Sequence, residues 1–235
     1  MTRHTGETSP HLYARIAGIL YLIIIVCGIF SEVFIRASLI VKGDAVATAT
    51  NILASEWLFR IGFAADALMI LSDVAIAVLF FVLLEPVSKT LSLTAAVFRL
   101  AQAVVLGINL LNYYAPLLLL NGDGVAAAFG TERMYSLVML FLDIHSHGYD
   151  LGLLFFGLSS LILGHLIVRS DYFPGVLGYG LMAAAVVYLT GSFTRFLFPG
   201  FVSLIAPIYI VPFIAELSFC LWLLVKGIRT RPTNE

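Results

Sequence analysis

The side chains best able to do chemistry lie in one short stretch, Asp143-Ile-His-Ser-His147-Gly-Tyr-Asp150, which gathers two Asp and two His at the mouth of a long apolar run. On a continuous helix Asp143, His147 and Asp150 stand at i, i+4 and i+7, within about 40° on one face. Two carboxylates and an imidazole are a donor set for a divalent metal such as zinc, with Glu32, Asp66 or water in a fourth position. His145 points elsewhere on that helix and is expected to hydrogen-bond to a neighbouring helix or to face the interface. The competing reading is a polar elbow at the membrane surface where water satisfies every group. No HExxH pattern, closed Cys/His pattern, GxSxG elbow, phosphate loop or dinucleotide fingerprint supports an established catalytic motif. His165 shares the phase of His147 but lies roughly 27 Å further along the axis, too far to join the same site. Ser159 and Ser160 read as small helix-packing residues.

The elements that must position this stretch are membrane helices. Hydrophobic residues make up 61% of the chain and charged ones only 11%, against roughly a quarter charged in a soluble domain. Six stretches reach the roughly 20 apolar residues that a span requires, at about 14–39, 58–84, 91–120, 146–168, 174–197 and 204–226. The predicted fold is an all-α polytopic transmembrane helix bundle, six spans plus two interfacial amphipathic helices, in a single domain over residues 1–235. Gly43-Asp44 reads as the turn and N-cap of the first interfacial helix, with Ile52, Leu53 and Trp57 on its apolar face. Met134, Leu137, Val138, Phe141 and Leu142 form the stripe of the second, which feeds into the fourth span.

Glu85-Pro86-Val87-Ser88-Lys89 and Asn121-Gly122-Asp123-Gly124 read as connections, and Pro207 and Pro212 are expected to kink the sixth span. The first apolar run, Leu12 to Ile40, is longer than the roughly 7 to 15 residues of a signal peptide and carries Glu32 and Arg36. It is therefore expected to remain as the first span. Cys27 and Cys220 each sit in an apolar run and read as small core residues. No internal repeat supports an inverted-repeat transporter. A net charge of -1 without a basic stripe gives no reason to expect nucleic acid.

Arg3, Arg15, Lys89, Arg169, Lys226, Arg229 and Arg231 collect on the side that holds both termini, which places the ends in the cytoplasm of a cell-membrane protein. In that orientation most buried polar groups fall in the outer half: Glu32 and Arg36, Arg60 and Asp66, Asn109 and Asn112, the Asp143 to Asp150 stretch, and Arg195. Ionisable side chains in a membrane face a bundle interior or a wet cavity and pair with one another. Arg99, Gln102, Asn109 and Asn112 share an arc of roughly 140° on the third span. Asp66 and Asp73 share a face of the second, and helix counting puts Asp73 at the depth of Arg99, where a register-fixing pair is expected. Glu216 lies near mid-depth without a local partner, so it is protonated, paired across helices or exposed to cavity water.

Several blocks together resemble a known family. Arg15-Ile-Ala-Gly-Ile-Leu-Tyr21, Gly43-Asp44-Ala, Asn51-Ile-Leu-Ala-Ser-Glu56-Trp-Leu-Phe-Arg60, Phe98-Arg99-Leu-Ala-Gln102, Asn109-Leu-Leu-Asn112 and Gly148-Tyr-Asp150-Leu-Gly-Leu-Leu-Phe-Phe-Gly157 look like the bacterial membrane family catalogued as domain of unknown function 4386. The resemblance covers nearly the whole chain and implies a multi-pass membrane protein without naming an activity. It also marks His145, at a position where a His before Gly-Tyr is expected. Ser159 or Ser160 stands where such sequences often carry another His, which weighs against a bis-His metal or haem.

The leading functional expectation is an outward-facing polar pocket for a small polar ligand or lipid headgroup, drawn from Glu32, Arg60, Asp66, Asp73, Arg99, Gln102, Asn109, Asn112, His145, Asp150 and Glu216. A metal-assisted hydrolase acting on a lipid-linked substrate through Asp143, His147 and Asp150 is one alternative, and a structural or assembly protein is the other. No cofactor is expected under the first reading, and a divalent metal under the second. The expected partners are the lipid bilayer and that small molecule or lipid.

Overall fold

Long uninterrupted apolar sequence folds as helix in a bilayer because every backbone N–H and C=O must be satisfied within the segment. A computed structural model of the chain describes residues 9–122, 124, 128 and 130–228. Arg3, Asp123, Arg229 and Arg231 lie outside the described residues. Among the described residues all regular structure is helical. Six helices are long and apolar enough to cross a membrane. They are α1 (Pro10–Leu39), α3 (Glu56–Leu84), α4 (Lys89–Asn121), α5 (Thr131–Arg169), α6 (Gly175–Leu197) and α7 (Pro199–Val225), and the short α2 (Ala45–Ala54) follows α1.

Asp44 starts α2 as expected, its carboxylate accepting from the Ala47 N–H at 2.8 Å. Asp44→Ala is expected to destabilise this end by about 1 kcal/mol, read as faster amide exchange over residues 45–48. Trp57 does not belong to the face of α2. The helix closes at Ser55, whose non-helical backbone (φ -132°, ψ 40°) ends the turn, so Trp57 falls in α3 and is exposed, while Ile52 alone of the three apolar residues is buried.

The second interfacial helix is continuous with the fourth span: α5 runs 39 residues without a break at Gly148. At 1.5 Å per residue that is about 58 Å, nearly twice the roughly 30 Å hydrocarbon core. The prolines of α7 fall in the first turns of its successive helical pieces. Pro199 and Pro207 open 3-10 turns at Pro199–Phe201 and Ala206–Tyr209, and regular helix runs from Ile210. A missing N–H costs least in a first turn.

The chain forms two compact units. The first is built from Met1–Leu22, Ser72–Gln102 and Leu153–Glu235, and the second from Ile23–Leu71 and Ala103–Gly152. In the first unit Phe219 takes Tyr21, Phe80 and Phe173 around its ring at centroid distances of 5.7 to 5.9 Å. There α5 and α6 cross where Gly164 meets Gly178: a Cβ on either would strike the backbone carbonyl of the other, so the absence of side chains permits the approach. In the second unit Phe59 and Tyr113 stack at 4.2 Å, 4° from parallel, among Ile35, Leu39, Ile52, Leu110, Leu117, Val138 and Leu142.

Candidate functional site

The second unit holds a polar cluster built on an irregular turn. Residues Phe30–Arg36 of α1 wind as a π-helix, and the Ala37 N–H reaches back five residues to the Glu32 carbonyl. Such turns are rare and recur at functional sites. Here the widened turn presents Arg36 to two carboxylates at once. Its Nε donates to Glu32 Oε2 at 2.7 Å, and its Nη1 donates to Asp66 Oδ2 at 2.6 Å. Arg36 and Asp66 are buried, whereas the Glu32 side chain is 70% exposed. The Ser31 hydroxyl donates to the Gly62 carbonyl at 3.3 Å, and Asp66 Oδ1 has no hydrogen-bond donor among the described residues.

The Arg36 guanidinium lies 5.8 Å from the centre of the Tyr113 ring, a cation–π distance. Tyr113 donates its hydroxyl to the Phe59 carbonyl at 3.1 Å and packs its ring 5.2 Å from that of His145. Asn109 Nδ2 donates to the His145 carbonyl at 2.8 Å, and Asn112 Nδ2 donates to Asn109 Oδ1 at 3.1 Å. Gly148 makes this contact between α4 and α5 feasible, because a Cβ there would fall on the Asn109 amide. Arg60 stands apart from the Arg36 pair. It binds Glu56 one turn back in α3 and donates to the Tyr114 hydroxyl at 3.2 Å, with its side chain 40% exposed.

The first unit holds a second group. Asp73 on α3 and Arg99 on α4 pair as helix counting anticipates. Arg99 Nε donates to Asp73 Oδ1 at 2.9 Å, and Gln102 Nε2 donates to Asp73 Oδ2 at 3.1 Å. Arg99 Nη2 comes within 2.6 Å of the same Oδ1 but lies off-line for a hydrogen bond, so that contact is ionic. Three rings surround the guanidinium, Phe156 at 4.9 Å, Tyr21 at 5.5 Å and Phe80 at 6.0 Å. Also in this unit, Glu216 on α7 accepts from the Tyr188 hydroxyl of α6 at 2.7 Å, the cross-helix partner that local sequence did not reveal.

The Asp143 to Asp150 stretch divides by face. His145 is buried, while Asp143 and His147 are exposed and Asp150 is intermediate. The His147 ring is satisfied one turn back, with Nδ1 2.7 Å from the Asp143 carbonyl. Among the described residues no three His, Cys, Asp or Glu side chains gather as metal ligands, so Asp143, His147 and Asp150 do not form the cluster their spacing suggested. Sequence reasoning assigned Arg36 only to its helical neighbour Glu32 and passed over Tyr113 and Tyr188. A signal existed for Tyr113, which follows Asn112 on the polar stripe of α4.

Six apolar spans with ion pairs buried among their side chains define a multi-pass α-helical membrane protein. The chain belongs to the family described as Domain of unknown function (DUF4386), which matches residues 16–227. An uncharacterized protein of Archaeoglobus fulgidus is 30% identical over 160 residues, 68% of this chain and 80% of that relative. No solved structure matches the chain.

Proposed function

We propose that the polar cluster of the second unit binds the amine of a small polar molecule or lipid headgroup, in a cell-membrane protein whose two termini are cytoplasmic, so that the cluster serves the outer leaflet. The observation that carries this reading is Arg36 shared between Glu32 and Asp66 at the π-helical turn. One cation meets two carboxylates there, and a buried Asp66 oxygen has no donor. An ammonium group supplies both the missing charge and the missing donor, which a phosphate cannot. Glu32 reaches the surface and is the accessible end of the site; Asn109, Asn112 and His145 form its inner wall.

The test is thermal unfolding of purified protein with short-chain lipids that share a glycerophosphate core and differ in headgroup. The ethanolamine headgroup is expected to raise the midpoint, by about 2.7 kcal/mol of stabilisation at a hundredfold excess over Kd, and the choline headgroup, whose quaternary nitrogen carries the charge but no N–H donor, to raise it less. The glycerol headgroup leaves it unchanged, and Glu32→Gln, a surface change, reduces the shift. Free ethanolamine added alone separates a small-molecule ligand from a lipid. If no amine-bearing compound moves the midpoint, the reading is wrong and a purely structural role gains. Stoichiometric zinc in the purified protein would instead favour the metal-assisted hydrolase.

A further inference from the structure

The first unit contains a cavity of about 10 Å³ lined by Arg99, Ser92 and Ser159 together with apolar residues of α3, α4 and α5, among them Ala77, Leu84 and Leu163. That volume is about the room one water molecule needs, and no larger ligand fits. Arg99 is 2% exposed, and its Nη1 has no hydrogen-bond acceptor among the described residues. A buried guanidinium N–H without an acceptor is a site that native proteins commonly fill with an ordered water.

The other two polar residues of the lining are complementary to it. Ser159 directs its hydroxyl proton to the Ala95 carbonyl at 2.8 Å, and Ser92 directs its own to the Lys89 carbonyl at 3.1 Å. Each hydroxyl has one proton, so both oxygens are left with lone pairs only and face the cavity as acceptors. Arg99 is a donor without an acceptor, and the two serines are acceptors without a donor. Water both accepts from the first and donates to the others, and it matches the size of the cavity.

We infer that the cavity between Arg99, Ser92 and Ser159 is a binding site for a single structural water, which accepts a hydrogen bond from Arg99 Nη1 and donates to the two serine oxygens. The water carries the Gln102–Asp73–Arg99 network on to Ser159 of α5, so that three helices of the unit share one hydrogen-bonded system. This function of Ser159 is separate from helix packing, since alanine would pack as well.

The experiment uses the full chain in lipid nanodiscs, labelled with nitrogen-15 at arginine. In the unmodified protein the Arg99 guanidinium protons are expected to show a cross-relaxation peak at the water frequency with the sign of a long-lived bound water. The peak is expected to weaken in Ser159→Ala and to vanish in the Ser92→Ala, Ser159→Ala double variant, with the Arg99 Nε signal and the unfolding midpoint showing that the fold is kept. If the double variant does not fold, Ser159→Ala alone and an experimental density map that resolves individual waters decide. One peak within about 3.2 Å of Arg99 Nη1 and of a serine oxygen supports the site. A dry cavity, with the guanidinium facing only its three rings, overturns it, as does a water cross-peak unaffected by the double substitution.

Discussion

Asp73→Ala is expected to lower the unfolding free energy by about 3–5 kcal/mol, the cost of leaving a buried charge without its partner. Arg99 and Asp73 are both within 2% of complete burial, and one carboxylate serves Arg99 Nε, Arg99 Nη2 and Gln102 Nε2 together. Removing it strands two donors as well as a cation. The three aromatic rings at 4.9 to 6.0 Å hold the guanidinium from the side but offer no counter-charge. Reversible unfolding in detergent measures the loss. The companion variant Asp73→Leu, Arg99→Met is expected to recover more than half of it, because apolar residues of similar volume remove the uncompensated charge. If Asp73→Ala melts like the unmodified protein, the pair does not organise the unit. Glu56→Ala gives the opposite expectation: it breaks a half-exposed contact within α3 and should lower the midpoint far less, by at most about 1 kcal/mol of stability.

The Asp73–Arg99 pair was legible in the sequence because it depends only on regular helix geometry. Both residues lie a countable number of turns from the short Glu85 to Lys89 connection, and regular helices preserve that count. Arg36 departs from that regular count. A constant 100° per residue pairs it with Glu32 and leaves it there, but the π-helical turn at Phe30–Arg36 resets the register and delivers its Nη1 to Asp66 as well. Nothing in the composition of Phe-Ser-Glu-Val-Phe-Ile-Arg announces that turn.

The Asp143 to Asp150 stretch failed differently. Phase correctly separated His145 from Asp143 and His147, but phase does not tell which face is inward. The inward face is decided by partners far away in sequence, Asn109 and Tyr113, which take up His145. Glu216 likewise needed Tyr188 from another helix. The spans themselves were legible because hydrocarbon thickness sets their length, whereas the unbroken α5 was not, since glycine is a weak helix breaker where neighbouring side chains demand close approach.

Gly148→Ala is expected to cost about 2–6 kcal/mol, far more than its single methyl suggests. The added Cβ falls on the Asn109 side-chain amide, so Asn109 must leave. It then loses its bond to the His145 carbonyl and the one it accepts from Asn112. Overpacking contributes about 1–3 kcal/mol, and a buried amide left unsatisfied a further 1–3, roughly. Gly107→Ala on α4 is the control. Its Cβ meets nothing within 4 Å, so it should be neutral or stabilising by up to about 1 kcal/mol, the ordinary helix preference for alanine. The double variant Gly148→Ala, Asn109→Ala separates the two causes. Shrinking Asn109 makes room for the methyl, so the pair should be more stable than Gly148→Ala alone, the non-additivity expected of residues in contact. The amine-induced thermal shift should nevertheless be smaller in that double variant, because Asn109 is part of the inner wall proposed for the site. Recovery of stability together with a full amine shift would remove Asn109 from the binding site while leaving its role in joining α4 to α5 intact.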